Sequence, residues 1–85
     1  MGFKTYTDNS ITLKDAQKLR ENLYEIHIHY DSVFDEFKVE FYFTNLNYGL
    51  YLKTQAGHIK LFKTMKSMNK IFHSFDIKDV KLIYY

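Results

Sequence analysis

Residues 24 to 31 read Tyr-Glu-Ile-His-Ile-His-Tyr-Asp, and the His27-x-His29 pair within them is the most chemically suggestive spacing in the chain. Two imidazoles two residues apart on a strand point to the same side, so their ring nitrogens can share a metal ion if a third ligand comes from a neighbouring strand. Glu25 lies on that side as well, and His58 joins it if its own strand is adjacent. Two committed ligands fall short of a zinc site, however, and lysines on the same side oppose a dication. The expectation is a pair of exposed strand histidines with no metal.

Little else in the chain promises reaction chemistry. The 85 residues contain no cysteine, which excludes a thiol nucleophile, a disulfide and a zinc ribbon. There is no glycine-rich phosphate loop, no serine in an elbow motif and no acidic cluster of metal-binding type. Asp31, Asp35 and Glu36 read as turn and solubilising groups in or beside a hairpin connection. The sequence therefore predicts a protein that is not an enzyme and needs no cofactor.

The elements that position the histidines follow from periodicity. Tyr24, Ile26, Ile28 and Tyr30 alternate with Glu25, His27 and His29, which predicts a strand with one buried face. Across the connection from 31 to 35, Phe37, Val39, Phe41 and Phe43 alternate with Lys38, Glu40, Tyr42 and Thr44, predicting a second strand and a hairpin. Asn45-Leu46-Asn47 then turns the chain into a third strand with Tyr48, Leu50 and Leu52 inward. Gln55-Ala56-Gly57 leads to a fourth with Ile59 and Leu61 inward.

Two helices flank these strands. Thr12 caps a helix over about 13 to 23, with Leu13, Ala16, Leu19 and Leu23 as its stripe and Ile11 with Ala16 as a hydrophobic staple. Thr64 caps a second, in which Met65, Met68, Ile71, Phe72 and Phe75 face inward while Lys63, Lys66, Lys70 and His73 face out. Asp76 to Asp79 break that pattern, and Val80, Leu82 and Tyr84 alternate with Lys81, Ile83 and Tyr85 in a last strand. The expected fold is α+β, a single domain over 1–85 in the order αββββαβ, with residues 1–10 as a loose N-terminal segment. Its sheet is mainly antiparallel, with both helices packed on one face.

Bulk composition fits one small domain. Eight Phe and eight Tyr give it the means to fill a dense core. No apolar run approaches ~20 residues, and Met1-Gly2-Phe3-Lys4 leads into no apolar stretch. Tyr6 stands where a myristoylation motif wants serine or threonine. The expectation is a cytoplasmic protein without membrane contact.

The net charge of +2 conceals an asymmetry. Residues 1 to 49 hold five Lys or Arg against eight Asp or Glu, whereas residues 50 to 85 hold seven Lys against Asp76 and Asp79. A basic C-terminal part suits an anionic partner.

The outward positions of the predicted sheet are Glu25, His27, His29, Lys38, Glu40, Tyr42, Tyr51, Lys53, His58, Lys60, Phe62, Lys81, Ile83 and Tyr85. Interleaved rings and cations of this kind suit single-stranded nucleic acid, with bases stacking on rings and lysines meeting phosphates. Strand propensity and cross-strand ring pairing account for the same residues without any partner, as does burial of this face in a homodimer. The stripe Lys63, Lys66 and Lys70 is a second candidate phosphate surface, or else a solvated helix side.

Residues 48 to 83 carry Leu52-x-Thr54, a turn containing Gly57, Leu61-Phe62-Lys63-Thr64, a helix from Met65 to Phe75 and a closing strand from Val80. This pattern resembles small accessory proteins of bacterial plasmids and other mobile elements, including ParC-type partition-associated proteins. The resemblance implies a protein that works by binding, with nucleic acid or a host nucleoprotein or protein complex as its partner. Small mobile-element proteins also include anti-CRISPR inhibitors, which occupy a surface of a larger complex; the acidic DNA-mimic form is disfavoured because no dense run of Asp and Glu is present. The candidate contact residues are Tyr42, Tyr51, Lys53, Lys60, Phe62, Lys63, Lys66, Lys70, Lys81 and Tyr85.

Overall fold

The computed structural model describes residues 9–75 and 80–85. Residues 1–8 of the expected loose segment 1–10, and the break at 76–79, lie outside the described residues. The described chain runs β1 (Ser10–Thr12), α1 (Leu13–Lys18), a 3-10 turn (Arg20–Asn22), β2 (Leu23–Asp31), β3 (Glu36–Phe43), β4 (Leu50–Lys53), α2 (Met65–Phe75) and β5 (Lys81–Tyr84). One five-stranded sheet has the order β1-β4-β3-β2-β5.

The hairpin forms where the alternation places it. Asp31 accepts from the amides of Val33 and Phe34 at 2.9 and 3.3 Å, and Asp35 takes a positive φ of 53° to close the turn. A carboxylate bonded to amides two and three residues on is the local chemistry that favours aspartate in turns. From the Asp31–Glu36 pair to the Glu25–Tyr42 pair, each step back along β2 matches one step forward along β3, which sets His27 opposite Glu40 and His29 opposite Lys38; the register shifts between Glu25 and Leu23.

The sheet is mixed rather than a run of antiparallel strands. β2–β3 and β3–β4 are antiparallel, whereas β1–β4 and β2–β5 are parallel. Thus β3 runs against the other four. Strands that run parallel need a crossover connection; α2 carries the chain from β4 past β3 and β2 to β5 at the far edge, and the first helical segment carries it from β1 past β4 and β3 to β2.

Three further expectations are corrected. A short strand, Ser10–Thr12, stands where sequence polarity suggested only a loose end and a cap. The first helix stops at Lys18, because the Leu19 amide reaches Ala16 at 3.1 Å in a tightened turn and the chain then enters β2. Thr12 does cap it, accepting from the Asp15 amide at 3.2 Å, and Ile11 and Ala16 are both fully buried.

The fourth predicted strand is reduced to isolated bridges, Lys53 with Ile59 and Phe37 with Phe62. After Gly57 turns at φ 93°, the return leg bonds β4 once, Lys60 amide to Leu52 carbonyl at 2.9 Å, and then moves over to β3. This transfer shifts the alternation by one residue, and a shift of one inverts every side chain. Phe62, predicted outward, is core at 3% exposure, and Ile59 and Leu61, predicted inward, are exposed. Tyr24, Tyr30, Tyr48 and Tyr84, also read as inward, have substantial exposure, as does Met65 on α2.

The core is one cluster on one face of the sheet. Ile11, Ile26, Ile28, Val39, Phe41, Phe43, Leu50 and Leu52 meet Ala16 from α1 and Met68, Phe72 and Phe75 from α2. Phe41 and Phe75 stack with centroids 5.5 Å apart. Thr64 caps α2, accepting from the Ser67 amide at 3.1 Å, and Lys66, Lys70 and His73 face outward. No described helix is long and apolar enough to cross a membrane.

Candidate functional site

The helices cover one face of the sheet, and alternation sends a second set of side chains to the other. At its centre stand His27 and His29 from β2 and Glu40 and Tyr42 from β3, joined by Tyr51 from β4 and Tyr85 following β5.

Hydrogen bonds tie these groups together. His29 Nε2 lies 2.9 Å from Glu40 Oε1, and His27 Nε2 lies 2.9 Å from Glu25 Oε1. A carboxylate only accepts, so in each pair the imidazole Nε2–H donates. That leaves Nδ1 of His27 as an acceptor, and the Tyr85 hydroxyl stands 3.0 Å from it. Both nitrogens of His27 are therefore partnered and its ring is fixed.

The rings pack as well as bond. Tyr85 stacks on His29 at 4.7 Å with planes 2° apart, and Tyr42 lies 4.1 Å from His27. Tyr51 is 5.9 Å from His29, and the Lys38 ammonium sits 5.4 Å above the Tyr51 ring, a cation–π contact. Burial, followed by a hydrogen bond from its hydroxyl to Glu40 and the charge of that carboxylate, pushes the Tyr42 phenol up to about 12. Burial and Glu40 raise Tyr51 in the same way. Both tyrosines thus stay neutral through ordinary pH, and Tyr42 remains a donor to Glu40.

Glu40 is seated against the backbone of Gly49. A Cβ built at 49 would fall 2.4 Å from Glu40 Oε2 and 2.7 Å from its Cγ, so any side chain there displaces the carboxylate from its place beside His29.

The ten candidate contact residues divide into separate groups. Tyr42, Tyr51 and Tyr85 are brought together on the open face, with Lys81 exposed at the edge opposite Glu25 and Lys53 paired in register with Thr12. Lys60, Lys63 and Lys70 instead line a groove with Leu61, Ser67 and Ile71 beside α2. Lys63 also pairs with Glu36 at 3.1 Å, and Lys60 lies 5.5 Å above the ring of Phe62. Lys66 is exposed on α2, and Phe62, predicted as a surface contact, is a core residue that only borders this groove. His58, offered as a neighbour of the histidine pair, sits instead on the exposed turn after β4.

Sequence reasoning passed over Glu40 as a site residue, although it placed Glu40 on the outward face. The missing information was register, which the four-residue loop between Asp31 and Glu36 fixes. Neither a protein-family model, nor a curated protein, nor a solved structure matches the chain.

Proposed function

We propose that this chain is a non-enzymatic binding protein whose open sheet face meets an anionic partner, single-stranded nucleic acid or the nucleic-acid part of a larger complex. The observation that carries this reading is the Tyr85 ring, two-thirds exposed, stacked on His29 and close to the Lys38–Tyr51 pair. A base stacked on an exposed ring brings its phosphates within reach of neighbouring ammonium groups such as Lys81 and Lys38. The groove lined by Lys60, Lys63 and Lys70 gives the same strand a second place to run. A role in a mobile element is supported by the resemblance of residues 48 to 83 to plasmid accessory proteins.

Fluorescence anisotropy with a labelled oligonucleotide tests the reading. Binding should weaken steeply as salt rises, because each neutralised phosphate releases counterions. Tyr85→Ala with Lys81→Ala should weaken it about 5- to 150-fold, the equivalent of losing one stacked base at ~1–3 kcal/mol. Lys66→Ala with Lys70→Ala should lower affinity and flatten the salt dependence. Melting temperature should change little in both, and unchanged affinity in both doubles would remove these surfaces from consideration.

One observation favours a protein partner instead. Val33 and Phe34 at the β2–β3 turn are 81% and 67% exposed, an apolar tip of the kind that inserts into a partner surface. This supports the inhibitor reading, in which the chain occupies a host defence complex by protein contact. Absence of oligonucleotide binding at low salt, together with loss of partner capture on Phe34→Ala, would select it.

A further inference from the structure

We propose that His27, His29 and Glu40 form a binding site for a borderline first-row divalent ion, of the zinc, cobalt or nickel type, on the open face of the sheet. This goes beyond the anionic-partner reading and does not depend on it.

The third ligand that the His-x-His spacing lacks is supplied by strand pairing. Glu40 stands directly opposite His27 on β3 and reaches across to His29. One donor atom from each of the three residues lies within 4.8 Å of the other two. Ligands bound at roughly 2.0–2.2 Å stand ~3–4 Å from one another around an ion, so closure requires about an ångström of side-chain adjustment; where His29 ligates through Nε2, the ion replaces its hydrogen bond to Glu40 and the imidazole proton moves to Nδ1. Two imidazoles with one carboxylate suit ions of borderline softness and leave coordination positions open.

The surroundings support ligation. Glu25 and Tyr85 hold the two nitrogens of His27, so whichever one takes the ion, the other keeps a partner that fixes the ring. A carboxylate or hydroxyl behind a ligating imidazole is the usual outer arrangement of such sites. Gly49 packs against the Glu40 carboxylate, and Tyr42 donates a hydrogen bond to it. Glu25 and Glu40 bring two negative charges to the cluster, while the Lys38 ammonium is drawn over Tyr51. The outward lysines nearest in register, Lys38 opposite His29 and Lys81 opposite Glu25, are thus met by two carboxylates in the same cluster. The side chains of His27 and Glu40 each keep 12% exposure and that of His29 keeps 29%, sheltered yet reachable from solvent.

Calorimetric titration of the full chain with zinc chloride, and separately with nickel chloride, tests the site. Wild type should bind one ion, with the imidazole resonances of His27 and His29 shifting and those of His58 and His73 unmoved. Cobalt should give ligand-field absorption bands. His29→Ala and Glu40→Gln should each weaken binding at least ~10-fold, the lower end of what even an outer partner of a ligand costs, while His58→Ala leaves it intact. Glu40→Gln keeps the shape and an acceptor for His29, so it carries the test if His29→Ala fails to fold by circular dichroism. No binding to wild type at millimolar zinc overturns the proposal. Binding that survives Glu40→Gln unchanged overturns it equally, because the ion then sits elsewhere.

Discussion

Phe41→Ala is expected to lower the melting temperature by about 20 °C. Phe41 lies on β3 at the middle of the sheet, paired in register with Ile26 on one side and Leu50 on the other, and has no exposed surface. Its ring stacks on Phe75 of α2 and tilts against Phe43, so it joins sheet and helix at one point. Truncating a buried phenylalanine costs about 3–5 kcal/mol through lost transfer energy and the cavity left behind. For a domain of this size each kcal/mol shifts the midpoint by ~4–8 °C. Differential scanning calorimetry checks it, and a shift of only a few degrees would mean the sheet and α2 do not share this contact.

The second large effect separates two adjacent residues. Phe62→Ala is expected to cost about 3–5 kcal/mol as another buried ring, whereas Leu61→Ala should stay within ~0.5 kcal/mol as a surface change. Alternation carried on from β4 requires the reverse order, with Leu61 in the core and Phe62 on the surface. The structure has the 59–62 segment leave β4 for β3, where Phe62 and Phe37 exchange backbone hydrogen bonds at 2.8 and 2.9 Å. Urea unfolding of the two variants decides between these registers, since only one can show the larger loss.

These two positions also mark what the sequence could and could not convey. β2, β3 and α2 were legible because each is long enough for its apolar period to repeat, and because Thr64 and the Asp31–Asp35 turn use side-chain bonds local to the chain. β1 has three residues, too few for any period to show, and it exists only because β4 lies beside it. Parallel pairing at both edges is likewise a matter of tertiary placement and leaves no mark on alternation. Tyr24, Tyr30, Tyr48 and Tyr84 were assigned inward on hydrophobic grounds, yet a phenol tolerates water; Tyr30 uses its hydroxyl to bond Asp35 at 2.6 Å. On the open face the histidines and tyrosines were visible as a set. The role of Glu40 was not, because it depends on which residue faces which across the hairpin.

The distances along the chain within that face have an effect on its dynamics. His29 and Glu40 are 11 residues apart, whereas His27 and Tyr85 are 58 apart. Closing the longer loop costs about 1.5 kcal/mol more chain entropy, and the four residues of β5 form an outer strand that, among the described residues, pairs with β2 and packs Leu82 on the core. Peeling of β5 therefore frees the Tyr85 ring while the His29–Glu40 pair persists. In hydrogen exchange, the amides of Leu82 to Tyr85 should open ahead of those in the β2–β3 ladder.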